Sequence, residues 1–236
     1  NHSRFHNLWR NIAWWDGTRP ETVSVTDIWA RDVGMARLTA QTTGGAPVVL
    51  AAKAGHNGEN HNQNDVGSLI VHVDGESLIC EPGRGLYSRD YFGPRRYENV
   101  FANSYGHSVP RVDGQLQSPG REFAGEIIDF APDGPEKRVR MEIGSAYEVE
   151  GLEGIERRIS LTGDGEFVLE DRFRVASGMP VEVALITWLE ASVAPSWGLA
   201  RSTARIAGQR HTLDLTIESP ADAEFRLEVL EEKSKA

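Results

Sequence analysis

Cysteine is nearly missing from this 236-residue chain, which contains only Cys80. A lone cysteine excludes an internal disulfide, and its position in an apolar stretch favours a buried thiol without a chemical role. No hydrophobic run is long enough to form a membrane-spanning helix. Internal repeats, low-complexity segments and linkers are also lacking. These absences favour one large domain with a substantial core.

Positive charge is scarce too. The chain has 25 lysines and arginines against 35 acidic residues, which gives a formal net charge of −10. This balance disfavours nucleic acid as a partner and provides no general attraction for a polyanionic sugar. An acidic glycan would therefore need a local basic patch. Five arginines near the polar motifs can form one, although each taken singly is also typical of a solvated surface: Arg84, Arg89, Arg95, Arg96 and Arg111.

The most polar stretch of the sequence lies between two apolar runs. It reads KAGHNGENHNQND from Lys53 to Asp65 and is rich in histidine, asparagine and acidic residues. A run this polar is not expected in a core, and Asn, Gly and Asp tolerate turn conformations. We therefore predict a tight loop that displays imidazole and amide groups, with His61 as the main candidate for chemistry.

The next segment, VGSLIVHVDGESLICEPG, predicts a β-hairpin. Apolar residues alternate on both sides of Asp74-Gly75, a dipeptide suited to a two-residue type I′ turn. The simplest register pairs Ser68 with Glu81 and brings the polar loop close to Glu81. The same register puts three apolar residues on the face opposite His72: Leu69, Val71 and Val73.

Helical spacing occurs only near the start, where Phe5, Leu8, Ile12 and Trp15 recur and Gly17 is placed to end a helix. Beyond it, apolar and polar residues alternate as in antiparallel strands with one wet face. Turns are predicted at 44–45 and 163–165. Strands are predicted at 23–32, 34–42, 47–54, 121–131, 137–146, 154–163, 166–175, 180–191, 202–208, 211–219 and 223–232. The sequence therefore predicts an all-β chain, a large antiparallel β-sandwich after a short N-terminal helix.

A third cluster, RRYENVFANSYGHSVP, lacks clean alternation and predicts an irregular strand or loop that crosses the same site. It contributes Tyr97, Tyr105 and His107. From spacing alone, His107 is interpreted as a structural histidine that is satisfied by backbone groups.

Three motifs resemble the C-terminal region of the heparinase II/III family of polysaccharide lyases, in order and in spacing: AAKAGHNGENHNQNDVGSLIVHVDG, EPGRGLY and RRYENVFANSYGHSVPRVDGQLQ. The resemblance covers about residues 29–124. It implies a supersandwich domain over 23–236, with 1–22 a helical lead left from an upstream helical toroid. The apolar face of the lead would then pack on the toroid, and packing on the sandwich itself is the alternative.

The resemblance also implies cleavage of a uronate-containing glycan, such as a glycosaminoglycan or alginate, by β-elimination. The enzyme must remove the C5 proton, neutralise the neighbouring carboxylate and protonate the leaving oxygen. In the family, the histidine matching His61 serves as base or carboxylate neutraliser, and the tyrosine acid or base comes from the toroid. The chain alone is therefore expected to be inactive. The catalytic candidates are Asn60, His61, Asn62, Tyr97 and Tyr105, and the substrate-binding candidates are Asn64, Arg84 and Arg96.

A zinc site inside the sandwich is a further implication, formed in related lyases by histidines at positions 63 and 107 and an aspartate at 81. This chain has Gln63 and Glu81 beside His107. An amide oxygen is a weak ligand for zinc, so zinc would be held only if Asp65 or another group substitutes. A harder divalent cation with oxygen ligands is one alternative. A metal-free hydrogen-bonded brace is the other and is the one we favour.

Two rival interpretations stay open. In a noncatalytic carbohydrate-binding or structural β module, local Asx hydrogen bonds would explain Asn57, Asn60, Asn62 and Asn64. In a cupin-like barrel, His61, Asp65 and His107 would hold iron, which the long motifs disfavour. The family resemblance further implies a bacterial protein, periplasmic or secreted. Its expected partners are a uronate-containing polysaccharide and the upstream toroid, with neither nucleic acid nor a membrane among them.

Overall fold

The computed structural model describes residues 5–18, 24–194, 200–219 and 223–230. Within these ranges one α-helix precedes a series of short strands. The elements are α1 (Phe5–Trp14), β1 (Ile28–Ala30), β2 (Met35–Gln41), β3 (Pro47–Lys53), β4 (Gly55–Asn57), β5 (Leu69–Val73), β6 (Glu76–Ile79), β7 (Pro110–Val112), β8 (Gly120–Ala131), β9 (Glu136–Glu142), β10 (Leu152–Thr162), β11 (Phe167–Val175), β12 (Val181–Val183), β13 (Glu190–Val193), β14 (Arg201–Ala207) and β15 (Thr212–Glu218).

Two five-stranded antiparallel sheets form the body of the domain. Their strand orders are β1-β2-β3-β5-β6 and β11-β10-β9-β8-β4. Alternate residues of both sheets enter one buried core, among them Leu38 and Leu50 from the first sheet and Met141 and Ile159 from the second. Each such side chain contributes about 1.5–3 kcal/mol through removal from water. The predicted all-β antiparallel sandwich is confirmed.

Two smaller sheets complete the fold, one pairing β12 with β7 and the other ordered β13-β14-β15. The β14–β15 hairpin is attached to the first sheet by two carboxylates. Asp74, in the β5–β6 turn, pairs with Arg210. Glu76, at the start of β6, accepts hydrogen bonds from the backbone N–H groups of Gln209, Arg210 and His211 at 2.5, 3.2 and 3.1 Å. The C-terminal sheet is therefore attached at the tip of the β5–β6 hairpin.

The predicted hairpin is present, with one change of register. Asp74 and Gly75 have positive φ of 45° and 87°, as a type I′ turn requires. Val73 pairs with Glu76, but a bulge shifts the next part of the ladder so that Val71 pairs with Ile79. The expected pairing of Ser68 with Glu81 is therefore wrong, because β6 ends at Ile79 and the β5–β6 ladder does not reach Glu81.

Four predicted strands are shorter than expected or do not form. The strand predicted at 137–146 ends at Glu142, and Gly144–Ala146 forms a single 3₁₀ turn instead. In 23–32 only Ile28–Ala30 is a strand, with residue 23 outside the described ranges. The predicted strand 180–191 is interrupted between β12 and β13, because the Ile186 N–H donates to Ser108 Oγ and its carbonyl accepts from the Cys80 N–H. Residues 223–230 form no strand, and 231–232 lie outside the described ranges.

Helix α1 forms where its periodicity predicts, and it stops before Gly17, which has a φ of 84°. None of its residues is buried. Phe5, Leu8 and Ile12 expose 58%, 56% and 55% of their surface, so the described part of the chain leaves the apolar face of the helix poorly covered, and the alternative in which it packs on the sandwich is not observed. No helix in the described part of the chain is long and apolar enough to span a membrane.

Candidate functional site

The polar stretch forms a loop, residues 58–68, between β4 and β5 and is called the polar loop here. His61 lies at its exposed tip with a φ of 57°, a left-handed conformation that is uncommon for a side-chain-bearing residue. The loop is less exposed than expected, however. Asn57 before it, and Asn62, Asn64 and Asp65 within it, are buried, so the expectation that this run stays outside the core is wrong.

A buried glutamine explains how these amides are accommodated. Gln117 Oε1 accepts from Asn57 Nδ2 and from the Val66 N–H, both at 3.1 Å. Its Nε2 donates to the Val66 carbonyl at 2.7 Å, and its own carbonyl accepts from Asn64 Nδ2 at 3.0 Å. Residue 117 is far from the polar loop in sequence, so local Asx bonds do not account for Asn57 and Asn64. Sequence patterns missed Gln117, whose only signal was its position at the end of the third motif.

The third cluster contains two single 3₁₀ turns, Arg96–Glu98 and Ser104–Gly106, as its irregular pattern predicted, and a further turn, Asp90–Phe92, precedes it. Arg96 connects it to the polar loop: its Nε donates to the Asn62 carbonyl at 3.0 Å, its Nη2 bonds the same oxygen, and its Nη1 donates to the Tyr91 carbonyl at 2.9 Å. Asn62 Nδ2 in turn lies 3.3 Å from the Tyr97 hydroxyl. The two segments therefore form one unit.

The two tyrosine candidates have different surroundings. Tyr97 contacts the polar loop through Asn62. The Tyr105 hydroxyl instead donates to the Glu228 carboxylate at 2.7 Å, and that hydrogen bond raises the pKa of Tyr105 above its ordinary value. A hydroxyl held in this way is a poor proton donor or base, so Tyr97 is the better placed of the two.

An open pocket lies at the tip of the polar loop and is called the His61 pocket here. Its volume is about 390 Å³. Phe92 stands edge-on to the His61 ring, with 6.2 Å between ring centroids, and the Arg84 guanidinium lies 4.8 Å from the centre of the Tyr87 ring. The pocket therefore combines imidazole, aromatic and cationic groups. Its lining residues are His61, Gln63, Gly83, Arg84, Tyr87, Tyr91 and Arg96.

A second group of polar residues is buried next to the polar loop. Candidate ligand atoms of Asp65, Glu81 and His107 all lie within 4.8 Å of one another and are called the carboxylate cluster here. His107 is fully buried, and its Nδ1 contacts Glu81 Oε2 rather than the expected backbone group. The structure thus brings Glu81 and His107 together. In the described ranges no contact joins His61 to either of them.

Lys53, the last residue of β3, contacts one member of this cluster, Asp65. Its Nζ lies 2.5 Å from Asp65 Oδ1 and 3.4 Å from Glu59 Oε2. Burial raises the pKa of the Asp65 carboxyl above its ordinary value, against the opposing effect of the Lys53 ammonium. Burial also opposes the charge of Lys53, but the Asp65 and Glu59 carboxylates outweigh it and raise the pKa of the ammonium. Lys53 is therefore a cation at neutral pH.

These contacts do not fit the zinc site that the family resemblance implies. Gln63 Nε2 donates to the Gly83 carbonyl at 2.5 Å. Glu81 Oε1 and His107 Nε2 are buried without a partner in the described part of the chain, so these two residues could offer ligand atoms. Zinc needs three or four protein ligands, so a third residue would have to join them. Asp65 would be the third ligand, but it holds the Lys53 ammonium. A divalent ion about 4 Å from an ammonium meets a repulsion of about 8 kcal/mol at an effective dielectric constant of about 20.

A buried arginine ties both site segments to the second sheet. Arg157 on β10 is fully buried and forms a bidentate pair with Asp171 on β11, with both N···O distances at 2.7 Å. Its Nη1 also donates to the carbonyls of Gly67 and Ser108 at 2.7 and 2.6 Å. Gly67 ends the polar loop and Ser108 follows His107, so one side chain fixes the position of both segments. Sequence patterns did not single out Arg157.

Comparisons with known proteins agree with this architecture. A family model for the heparinase II/III-like C-terminal domain matches residues 23–231. A heparinase III structure superposes with a TM-score of 0.56 and 14% identity, covering 94% of this chain and 38% of the other. A heparan sulfate lyase from Pedobacter heparinus gives a TM-score of 0.50 and 12% identity, covering 95% of this chain and 48% of the other.

Those identities establish a shared fold only, and the chain spans less than half the length of either structure. A search of the curated proteins finds no match. The family match covers most of the sequence, and the sheets that it implies are present. We conclude that this chain belongs to the heparinase II/III-like C-terminal family.

Proposed function

We propose that this domain supplies part of the active cleft of a polysaccharide lyase that cleaves uronate-containing glycans by β-elimination. The observation that carries the proposal is the His61 pocket, where an exposed imidazole in a left-handed backbone conformation lies beside arginine and tyrosine side chains. Strained backbone of this kind clusters at functional sites. The two structural relatives named above are glycan lyases or heparinases, which agrees with this class of substrate.

In this reaction, a base takes the C5 proton, the C4–C5 double bond forms and the C4–O bond breaks, with the electron pair leaving on the oxygen, which is then protonated. We assign His61 the role of base or carboxylate neutraliser. Arg84 and Asn60 are exposed and are assigned to the substrate carboxylate. Three other candidates already donate hydrogen bonds to protein groups, so we assign them to shaping the pocket: Asn62, Asn64 and Arg96.

We propose that an upstream helical toroid in a longer protein packs on the exposed face of α1 and completes the cleft. Tyr97 is the local candidate for the acid or base, and Tyr105 is the less favourable one. Location in the periplasm or outside a bacterial cell remains a prediction from the family resemblance.

The test uses the longest natural form of the protein and the ultraviolet absorbance of the unsaturated uronate product. His61→Ala is expected to lower turnover by a factor of about 10²–10⁴, the usual contribution of a positioned acid or base. His72→Ala is the matched control, because His72 lies on strand β5 and bonds Ser77 Oγ at 2.9 Å. Both variants should keep the wild-type unfolding midpoint. Undiminished turnover in His61→Ala would remove His61 from the mechanism.

The noncatalytic carbohydrate-binding module is a second candidate, favoured by the aromatic cluster beside the pocket. The Tyr87 and Phe92 rings lie 4.8 Å apart edge to face, and Phe92 is 53% exposed. Aromatic faces of this kind can carry sugar rings. If the longest natural form binds a uronate glycan in calorimetry, but releases no unsaturated product with any such glycan, the binding module is the correct function.

A further inference from the structure

The Lys53 side chain ends at Asp65, one of the three residues of the carboxylate cluster that a metal ion would be expected to fill. The side chain is only 14% exposed, and its Nζ contacts the carboxylates of Asp65 and Glu59. We propose that the Lys53 ammonium replaces a divalent cation at the cluster of Asp65, Glu81 and His107. The cluster is then a metal-free brace that holds the polar loop against the end of β3.

The charges of the cluster call for a cation. The side chains of Asp65 and Glu81 are only 11% and 23% exposed, and a carboxylate removed from water needs an opposite charge nearby. An ammonium is a compact cation with three donors, so it can serve more than one carboxylate at once. Lys53 reaches Asp65 and, outside the cluster, Glu59, and it needs no ligand from solution to do so. Glu81 contacts the His107 imidazole.

Backbone hydrogen bonds fix the direction of the lysine. The Lys53 N–H donates to the Ser68 carbonyl at 3.0 Å, and the Lys53 carbonyl accepts from the Gly67 N–H at 2.7 Å. Both bonds continue the pairing of β3 with β5 beyond the named strands. The sheet therefore directs the side chain towards Asp65, and a metal could use that carboxylate only by disturbing an ion pair that the sheet holds in place.

The metal content of the wild-type chain is the direct test, and it does not depend on any lyase activity. The chain is equilibrated with zinc, and in parallel with manganese or calcium, then freed of loose ions by gel filtration and analysed for metal. We expect far less than one ion per chain, and a thermal midpoint that a chelator does not change. One retained ion per chain, with a midpoint that falls on chelation, would overturn the proposal.

Lys53→Met tests the cause, because it removes the ammonium but keeps an apolar side chain of similar length. This variant should gain zinc-dependent stability, with a midpoint rise of about 5 °C or more at a hundredfold excess of zinc over its Kd. Lys137→Met is the matched control. Lys137 is a part-buried lysine that lies away from the cluster and pairs with Asp27 at an N···O distance of 2.6 Å. A zinc response no larger than that of the control contradicts the proposal. If Lys53→Met does not fold, the wild-type metal content decides in the same two directions.

Discussion

At the scale of single residues, the two arginines of the His61 pocket have opposite environments. Arg96 donates to two backbone carbonyls and so holds the polar loop to the turns that follow. Arg84 is exposed, and in the described ranges its guanidinium contacts only the face of the Tyr87 ring. From the sequence, both arginines are predicted to bind substrate. The structure separates them into a residue that shapes the pocket and one that is available to a ligand.

Lysine substitutions at these two positions should therefore have different effects. Arg96→Lys removes the planar fork and leaves main-chain carbonyls with fewer donors, so we expect it to lower the free energy of unfolding by about 1–3 kcal/mol. Arg84→Lys should stay within about 0.5 kcal/mol of wild type, because its side chain is exposed. Urea denaturation of both variants measures this difference. Equal stability of the two would show that the Arg96 bonds do not hold the loop.

Other residues show what a sequence alone cannot reveal. The polar stretch was recognised as a functional loop and His61 does lie at its tip, but the burial of Asn57, Asn62 and Asn64 was not foreseen. The burial of Asn57 and Asn64 depends on Gln117, a partner that is remote in sequence. Asn62 instead bonds Asn64 and the Tyr97 hydroxyl. Periodicity reports which face of a strand is wet. It does not report which distant amide will satisfy a buried one.

At the scale of elements, sequence patterns predicted most of the strands because turn residues and alternation are local signals. The Asp74-Gly75 turn and the helix Phe5–Trp14 formed as expected. The errors came from a bulge and from long-range hydrogen bonds. The bulge in β6 shifted the hairpin register, and Ser108 and Cys80 hold Ile186 in an interruption of the predicted strand 180–191. Neither the bulge nor the interruption can be recognised from the local sequence pattern.

The attachment of the β14–β15 hairpin to the β5–β6 hairpin should depend on pH. The N–H of Gln209, followed by those of Arg210 and His211, lowers the pKa of Glu76 below its ordinary value of 4.5. A carboxylate with a lowered pKa in the folded state stabilises the fold above its unfolded pKa, and this stability is lost as pH falls through the folded pKa.

Glu76→Gln should therefore be less stable than wild type at pH 7, and the difference should shrink as the pH falls below about 4.5. Urea denaturation across that pH range measures it. Glu218→Gln is the control, because Glu218 is an exposed carboxylate on β15 that pairs only loosely with Arg201 at 3.5 Å. A stability gap that is constant with pH would mean that the charge of Glu76 does not fasten the hairpin.

At the scale of the whole molecule, two features point beyond this chain. Helix α1 keeps its apolar face exposed, and the structural relatives extend well past the region that the chain covers. These features agree with the proposal that a second domain packs on α1 and completes the cleft. Within the chain, other contacts join the sheets to the site, and the most important of them are those of Arg157.

Arg157 joins the second sheet to both site segments, so its loss should affect the whole fold. Arg157→Met leaves Asp171 as an uncompensated carboxylate whose side chain is only 6% exposed, and a broken buried pair costs about 3–5 kcal/mol. Arg157→Met with Asp171→Leu removes both charges and should recover part of that loss, since an apolar pair can replace a buried ion pair. Chemical denaturation of the single and double variants measures this coupling.

Arg172→Met is the control for this experiment, because Arg172 on β11 is 66% exposed and its pairing with Glu170 should be worth less than about 1 kcal/mol. The double variant still leaves the Gly67 and Ser108 carbonyls without the donor that Arg157 provides. We therefore expect its stability to stay below that of wild type, with altered NMR signals for His61 and His107. A double variant with wild-type stability and unchanged histidine signals would contradict this expectation. It would show that Arg157 only neutralises the Asp171 carboxylate, and that the site segments keep their positions without it.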